Sequence, residues 1–563
     1  MTPPKFFGQV GTRLGDGSRN KRWLITLFAA LMVAAAVGIG PGPVTKTLTG
    51  AAKAQDLPRY PISGYFISPP VDSSDSRTKL ADIKAAGGDT VITFGTLLTP
   101  ASANSLPADC SVSGENCSAP ATKGIVVNRY FTYLDGDSWG RSALKCPRDQ
   151  IISNNGRSFA VFVLPTTGDG CDSPDGRYDV VVAGGGQAPG TDTTGGLAAA
   201  ATKSGMHYYA GLPAPVKRTD VDYLPDLSYI GTLSLFTERF LQYQAAVNNV
   251  DGLAGFYHHI EMPLSDSAVF DPILELYKSQ NQLVHKYLPT RSAIISPYLD
   301  TRVDAANISP DTVRRGIEKI AGTSSGLVVN IAIQDGMGTG KGGAYLPSEA
   351  SAPVDSYAAA VVGDGSWKSK YVAPTGDYFR AAASGIEGTG AVLWANLEGM
   401  TPTATGNTCG AGPRGQTSLP RMDRQLQQMG AAKKVISFMW DPYFTCKGTG
   451  TPLKNQLISG YAKPVITEST FSAATGEIHV TGFNLEGGSA QVTWADVNGS
   501  THTKVFELTD ADTAYGQQQG LNPKLEALTL RVGAAAIPSG NRYSISLTNR
   551  WGAAQEIPYA GIS

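Results

Sequence analysis

The feature that most constrains the fold is a series of eight short apolar runs that alternate with amphipathic segments after about residue 60. The runs are nearly continuous in Val, Ile, Leu and Phe, as expected of strands buried on both faces. The predicted strands cover residues 62–69, 89–98, 206–212, 253–261, 292–300, 327–335, 391–398 and 435–441. Helices are predicted between them at 79–86, 233–247, 272–287, 311–321, 378–384 and 422–429. The pattern predicts an α/β fold, a (β/α)8 TIM barrel over residues 60–460, with a doubly wound open sheet as the alternative.

Two segments depart from this pattern. A stretch containing Gly, Ser and Cys at about 100–205 predicts a long insertion after the second strand. After residue 464, short β-type stretches alternate with Gly, Asn and Asp turns, which predicts a small C-terminal β-sandwich over 464–563. Residues 463–466 (Lys-Pro-Val-Ile) and 482–485 (Gly-Phe-Asn-Leu) resemble immunoglobulin-like domains of the IPT/TIG type. That resemblance implies a spacer or a glycan-side accessory.

The N-terminus predicts export. Basic residues between 13 and 22 precede an uncharged, largely apolar stretch at 23–40, and a small-residue cleavage site follows at 52–54. This is the pattern of a signal peptide or an N-terminal membrane anchor over residues 1–54, and a buried core helix is the alternative. Basic residues before the apolar stretch direct the rest of the chain outward. We therefore predict an extracellular or cell-envelope protein that meets the membrane only through this segment.

The cysteines agree with export. Six cysteines allow fifteen pairings, and none lies in a CxxC pair of the kind that binds zinc or runs redox chemistry. Structural disulfides are therefore predicted. Their order in the chain favours the pairs Cys110–Cys117, Cys146–Cys171 and Cys409–Cys446.

The charge balance excludes one class of partner. The chain carries 46 basic and 47 acidic side chains, and only 17% of its residues are charged. Such a chain has no field of one sign with which to hold a phosphate polymer. We predict no nucleic-acid partner.

Carboxylates lie at the ends of five predicted strands, namely Glu261, Asp300, Asp335, Glu398 and Asp441. Barrel enzymes carry their reactive groups at the C-terminal ends of the strands. Counting in steps of two places Glu261 on the face of Tyr257, and Glu398 on the face of Asn396. Both glutamates are therefore expected to point into the barrel mouth.

Two facing carboxyl groups suit the cleavage of a glycosidic bond. One must stay protonated to donate to the leaving oxygen, while the other is ionised to attack or to activate water. The strand-four and strand-seven positions resemble those at which a large clan of retaining barrel glycosidases keeps its acid/base and its nucleophile. By that resemblance, Glu261 is the acid/base and Glu398 the nucleophile. The alternative is that both are solvated or salt-bridged strand-end acids.

Aromatic and amide side chains near the strand ends favour a sugar over a charged substrate. Aromatic faces stack on the C–H faces of sugar rings, and amides bond hydroxyl groups. The predicted substrate-binding residues are Tyr65, Tyr257, His259, Tyr298, Gln334, Asp335, Trp394, Asn396 and Trp440. A polysaccharide or oligosaccharide is the predicted partner.

Five segments together resemble a bacterial family of glycoside-hydrolase-like TIM barrels that was long catalogued as a domain of unknown function. The segments are residues 255–261, 295–298, 334–338, 393–398 and 437–440. The resemblance covers roughly residues 60–450 apart from the insertion, and it implies a glycoside hydrolase. One departure concerns Glu261, which follows His258-His259-Ile260 rather than the Asn of the Asn-Glu pair in the better-known clan.

Other motifs lack the context that their chemistry needs. Residues 322–326 match GxSxG but lie between a helix and a strand, the reverse of a nucleophile elbow. The glycine-rich stretch 336–343 contains Lys341 but lacks the first P-loop glycine, so we interpret it as a mobile rim loop. No HExxH spacing accompanies the histidines nearest the predicted mouth, His207, His258 and His259.

We therefore predict neither a metal nor a cofactor. An exported glycoside hydrolase with a retaining mechanism is the leading hypothesis. A non-catalytic glycan-binding surface protein and a metal-dependent hydrolase are the alternatives.

Overall fold

The computed structural model describes residues 60–70, 72–187, 192–221, 223–403, 409, 412–448, 450–538, 540–554 and 557–560. The chain from Pro58 onward forms one compact unit. The predicted signal peptide or anchor at 1–54 lies outside the described residues. Within the described ranges, no helix is both long enough and apolar enough to cross a membrane.

Eight parallel strands close into a barrel, and each overlaps one of the predicted runs. They are β1 (Ile62–Phe66), β2 (Thr90–Ile92), β3 (His207–Gly211), β4 (Leu253–Tyr257), β5 (Ser292–Ile295), β6 (Val329–Gln334), β7 (Val392–Glu398) and β8 (Lys434–Phe438). The barrel closes where β1 pairs with β8, with Tyr65 opposite Ser437. The predicted (β/α)8 barrel is confirmed, and the open-sheet alternative is wrong.

A helix follows every barrel strand. The helices are α1 (Ser73–Ala85), α2 (Thr193–Ser204), α3 (Ile230–Val247), α4 (Asp271–Tyr287), α5 (Pro310–Ala321), α6 (Thr375–Gly385), α7 (Leu419–Gln427) and α8 (Leu453–Ile458). Shorter helices cover Ala119–Thr122, Ser356–Val362, Trp367–Lys370 and Tyr515–Gln518. The sequence pattern missed α2 and α8. Both ends of α2 carry local signals, because the Asp192 carboxylate accepts the Gly195 N–H at 2.9 Å and Gly205 follows with φ +61°.

Alternation along the strands separates the barrel interior from the helix layer. Each strand contributes one residue to an interior cluster, namely Phe66, Ile92, Tyr209, Tyr257, Ile294, Ala332, Trp394 and Ile436. The residues between them, such as Tyr65 and Phe256, pack outward against the helices. Burial of both faces explains why the runs are almost uniformly apolar.

A second sheet is formed by five strands from the segment between β2 and β3 and by one short strand that follows β3. In spatial order its strands are Ala214–Pro215, Leu97–Ala101, Val126–Tyr133, Arg177–Gln187, Arg157–Pro165 and Gln150–Asn154. One face packs on α3, where the Phe236 ring lies 5.8 Å from Phe162 and 5.9 Å from Trp139. A two-stranded ribbon of Ser111–Val112 and Glu115–Asn116 lies near the other face.

Three disulfides connect the cysteines in the favoured pairing. Cys110–Cys117 and Cys146–Cys171 lie between β2 and β3, and Cys409–Cys446 joins the segments that follow β7 and β8. This prediction is confirmed.

Residues 465–560 form two sheets around a common apolar core. One contains Val465–Ser472, Glu477–Phe483 and Glu526–Arg531, and the other contains Thr501–Leu508, Gly488–Ala495, Arg542–Asn549, Gly552–Ala553 and Ile557–Ala560. The Lys524 ammonium donates to the carbonyls of Tyr60 (2.9 Å) and Gly87 (3.1 Å), just before β1 and β2. These contacts hold the two sheets at the base of the barrel, opposite the C-terminal strand ends.

Candidate active site

The C-terminal strand ends carry a group of buried and partly buried carboxyl groups. β7 ends at Glu398, and Asp335 follows β6 directly. Glu261 was predicted to end its strand, but β4 ends at Tyr257, so Glu261 lies four residues further on. The chain leaves the strand ladder after the His258 N–H donates to the Ile294 carbonyl (2.9 Å), and it pairs again only where Pro263 meets Tyr298.

Glu398 points into the barrel, as the alternation predicted. The residue is 3% exposed. Its Oε1 accepts the Thr339 hydroxyl at 3.4 Å, while its buried Oε2 has no hydrogen-bond partner among the described residues. Burial raises the pKa of Glu398, and the charges of Lys341 and Arg414 counter part of that rise. The Oε2 atom of Glu398 is therefore removed from solvent but accepts no hydrogen bond from the described residues.

Asp335 is hydrogen-bonded to the backbone of Glu398. Its Oδ1 accepts the backbone N–H groups of Met337 (3.1 Å) and Glu398 (3.2 Å), and its Oδ2 accepts the Gln425 amide (2.7 Å). Burial, followed by the neighbouring charge of Glu398, raises the pKa of Asp335 to about 7. Asp335 was predicted to bind substrate, but it is fully buried and all its hydrogen bonds go to the protein. Asp335 is therefore placed to orient Glu398 and not to contact a ligand.

Glu261 is tied to β4 and β6. Its Oε1 accepts a hydrogen bond from the Tyr257 hydroxyl at 2.8 Å. His259, which was predicted to bind substrate, is hydrogen-bonded to the Gly95 carbonyl. Burial raises the pKa of Glu261, and hydrogen bonds from Tyr257 and Gln334 counter part of that rise. A carboxyl group with a raised pKa is suited to donate a proton near neutral pH.

The loop after β6 supplies a buried ammonium that the sequence analysis did not assign to the site. The Lys341 N–H bonds the Gly336 carbonyl (2.8 Å), and Gly336 has φ +72°, which favours glycine. Lys341 is 8% exposed, and its Nζ lies 3.9 Å from the centroid of the Tyr298 ring. Its charge acts on both Glu261 and Glu398, and burial lowers the pKa of Lys341 itself.

Gly338 of the same loop lies against Glu398. A Cβ atom at this position would be 2.7 Å from the Glu398 Cβ and 3.1 Å from its Oε2. Any larger residue would therefore clash with Glu398. Only glycine fits this close approach, so Gly338 lets the loop pack directly against the Glu398 side chain.

Partly exposed aromatic rings surround the carboxyl groups. Tyr298 and His259 were predicted, and both lie here. Phe94, just after β2, lies 5.7 Å from the His259 ring and 6.0 Å from Phe438 at the end of β8. Both phenylalanines were missed, because the predicted runs 89–98 and 435–441 extend beyond the observed strand ends at Ile92 and Phe438.

Four predicted substrate-binding residues lie elsewhere. Tyr65 and Trp440 pack together in the helix layer, 4.8 Å apart and almost fully buried, because Phe66 is the inward-facing residue of β1. Trp394 faces inward but is level with Lys434, the first residue of β8, and is therefore part of the barrel core. Predicting these three as substrate contacts was wrong. Asn396 is also buried, and its amide donates to the Ser296 hydroxyl at 3.0 Å.

Gln334 and Tyr257 meet the acid groups directly. Gln334 is partly exposed at the end of β6, where its amide donates to the Ser296 carbonyl (2.8 Å). Tyr257 is buried and contacts Glu261 through its hydroxyl group. Tyr257 therefore orients an acid group rather than offering a stacking face.

The remaining strand-end acids are paired. Asp300 forms a bidentate salt bridge with Arg302 (2.8 and 2.6 Å). The Asp441 carboxylate lies 2.9 Å from the Lys79 ammonium. His258 uses both ring nitrogens on Gln280 and Asn281. Across the described ranges, no group of three or more His, Cys, Asp or Glu side chains is arranged to hold a metal ion.

No family model matches the chain, and no curated protein matches it. Solved structures that resemble it include a candidate alpha-L-fucosidase from Bacteroides thetaiotaomicron, with 12% identity and a TM-score of 0.38, covering 75% of this chain and 97% of that chain. Another is the endo-beta-1,4-mannanase from Thermotoga petrophila, with 10% identity and a TM-score of 0.27, covering 90% of this chain and 99% of that chain. At identities and TM-scores this low, the likeness establishes neither a shared fold nor a shared function.

Proposed function

We propose that the protein is a glycoside hydrolase in which Glu398 is the nucleophile and Glu261 the general acid/base. The observation that carries this proposal is the Oε2 atom of Glu398, which is buried next to Gly338 and has no hydrogen-bond partner among the described residues. A buried polar atom without a partner is costly unless a ligand completes it. A sugar ring placed against this oxygen would do so.

The electrostatics of the two glutamates are compatible with these roles. Burial raises the pKa of both glutamates. At Glu398, the charges of Lys341 and Arg414 counter part of that rise and favour the ionised form, which attack on an anomeric carbon requires. At Glu261, the raised pKa favours the protonated form that a proton donor needs.

The proposed reaction has two balanced steps. Glu398 attacks the anomeric carbon as the bond to the leaving oxygen breaks, and Glu261 donates its proton to that oxygen. Glu261, now ionised, takes a proton from water, and the resulting hydroxide displaces the Glu398 carboxylate from the sugar. The product keeps the anomeric configuration of the substrate.

The test is a screen of the purified protein on cell-wall and plant polysaccharides, with release of reducing ends and NMR of the first-formed anomer. We expect a retained anomer, and we expect Glu398→Gln to lose at least about a thousandfold in kcat while it still binds the sugar. Glu387→Gln, a change on an exposed residue, is the matched control. Unchanged turnover in Glu398→Gln would remove the nucleophile role, and sugar binding without any turnover by the unmodified protein would favour a non-catalytic glycan-binding protein.

The proposal extends to location and domain roles. Three disulfides are typical of exported proteins, so we propose that the barrel acts outside the cytoplasm on a polysaccharide. The two C-terminal sheets are proposed to be an immunoglobulin-like accessory, and their attachment at the barrel base leaves the mouth free.

A further inference from the structure

The cations around the mouth outnumber the anions once one glutamate is protonated. The positive groups that act on Glu261, Glu398 or Lys341 are Lys341, Lys217, Arg414 and Arg302. With Glu261 protonated as the acid, the negative groups of this cluster are Glu398, Asp300 and Asp335, even if Asp335 is counted as fully ionised. With Glu261 protonated, the positive groups of this cluster therefore outnumber the negative ones by one.

Lys341 is the cation whose charge acts on both Glu261 and Glu398. Its ammonium lies over Tyr298, which pairs with both Pro263 and Gln334 on the rim, between the strand segments that carry the two glutamates. The backbone of the loop is fixed at this residue by a hydrogen bond from the Thr301 N–H to the Lys341 carbonyl (2.9 Å). A buried ammonium is costly unless anions surround it, and an anionic ligand would add to the stabilisation that Asp300 and Glu398 provide.

We propose that the site takes glycans whose reacting sugar carries an anionic group, a carboxylate or a sulfate, and that Lys341 binds this group. The inference rests on the proposed glycan site and specifies its substrate class. It departs from the sequence-based expectation of a sugar over a charged substrate. The spacing of residues in the sequence does not reveal that Lys341 lies close enough to act on the two glutamates. Lys217, which is exposed and also acts on Glu261, adds a second and weaker attraction at the rim.

The test measures binding, not turnover, in the Glu398→Gln background. The probes are tetragalacturonate with its carboxyl-reduced counterpart, and a κ-carrageenan tetrasaccharide with its desulfated counterpart, each titrated by calorimetry. In at least one pair we expect the anionic member to bind about tenfold more tightly than the neutral one. The pair that shows the difference identifies a carboxylate or a sulfate as the recognised group.

Variants of Lys341 decide whether it is responsible. The preference should disappear in Lys341→Met, persist in Lys341→Arg and persist in the control Lys433→Met, a change on an exposed residue at the barrel base. Lys217→Met, a change on an exposed residue, should weaken anionic binding about twofold to fivefold. Equal binding within both pairs, no binding of either anionic probe, or a preference that survives in Lys341→Met would each overturn the proposal.

The two proposals can fail separately. If the anionic preference is found but the unmodified protein releases no reducing ends, the hydrolase is refuted and the substrate class stands. If the protein hydrolyses neutral glycans without preference, the substrate class is refuted and the hydrolase stands.

Discussion

Asp335 makes the stability of the barrel depend on pH in a direction that can be measured. Its carboxyl group is fully buried, and its pKa is raised from 3.8 in the unfolded chain to about 7 in the folded protein, first by burial and then by the charge of Glu398. Because the folded pKa is the higher one, the stabilising contribution is complete below about pH 4 and is lost as the pH rises through about 7. At 2.3RT per pH unit, this loss amounts to about 4 kcal/mol of unfolding free energy.

The substitution Asp335→Asn should remove this loss. The new amide oxygen can still accept the backbone N–H groups of Met337 and Glu398. The Gln425 Oε1 has no partner among the described residues, so the Gln425 amide can turn to accept the new N–H group. The fold should therefore survive without the titrating proton.

The assay is urea unfolding of the unmodified protein and the variant at intervals between pH 4 and pH 8.5. We expect the unfolding free energy of the unmodified protein to fall more steeply with pH than that of Asp335→Asn, with a difference of a few kcal/mol across the range. Asp304→Asn, a change on an exposed residue beyond β5, is the control and should follow the unmodified protein. Parallel pH profiles for Asp335→Asn and the unmodified protein would refute the buried-proton argument.

Two further substitutions test individual contacts. Tyr257→Phe removes a hydrogen bond that lowers the pKa of Glu261, so the basic limb of the kcat/KM profile should move to higher pH. The control is Tyr287→Phe, which removes a hydroxyl group bonded to Glu238 and should leave the basic limb in place. An unmoved basic limb in Tyr257→Phe would show that Glu261 is not the acid. Tyr65→Phe removes a buried hydroxyl group that has no hydrogen-bond partner among the described residues. Urea unfolding should therefore show unchanged stability or a gain of about 1 kcal/mol. A clear loss of stability would mean that this hydroxyl group forms a hydrogen bond in solution.

The sequence predicted the barrel well because its evidence is distributed along the chain. Eight apolar runs each carried the same information, so an error at one strand end did not change the topology. Alternation also oriented Glu398 correctly, since the strand continues without a break from Trp394 to that residue. Helix α2 was missed because its Gly- and Ala-rich sequence carries a weak apolar pattern, and its local signals are the capping residues Asp192 and Gly205.

Single-residue predictions failed where a strand ended earlier than its apolar run. Glu261 lies beyond the ladder of β4, and only the structure shows that Tyr257 reaches it. Tyr65 and Trp440 were expected in the mouth, but one residue of difference in phase sends a side chain to the opposite face. Lys341 could not be located at all, since a glycine-rich loop has no periodicity from which to infer a direction.

The sheet that follows β2 shares backbone hydrogen bonds with the segment that follows β3, through Leu97 and Leu98 paired with Ala214 and Pro215. Trimming residues 99–187 to obtain a smaller protein would leave this short pair as an unpaired sheet edge next to the candidate active site, an open template for self-association. Shortening the chain at the C-terminal sheets would carry a different risk, because Lys524 would no longer satisfy two carbonyl groups at the barrel base. Neither appendage can be removed as if it were an independent module.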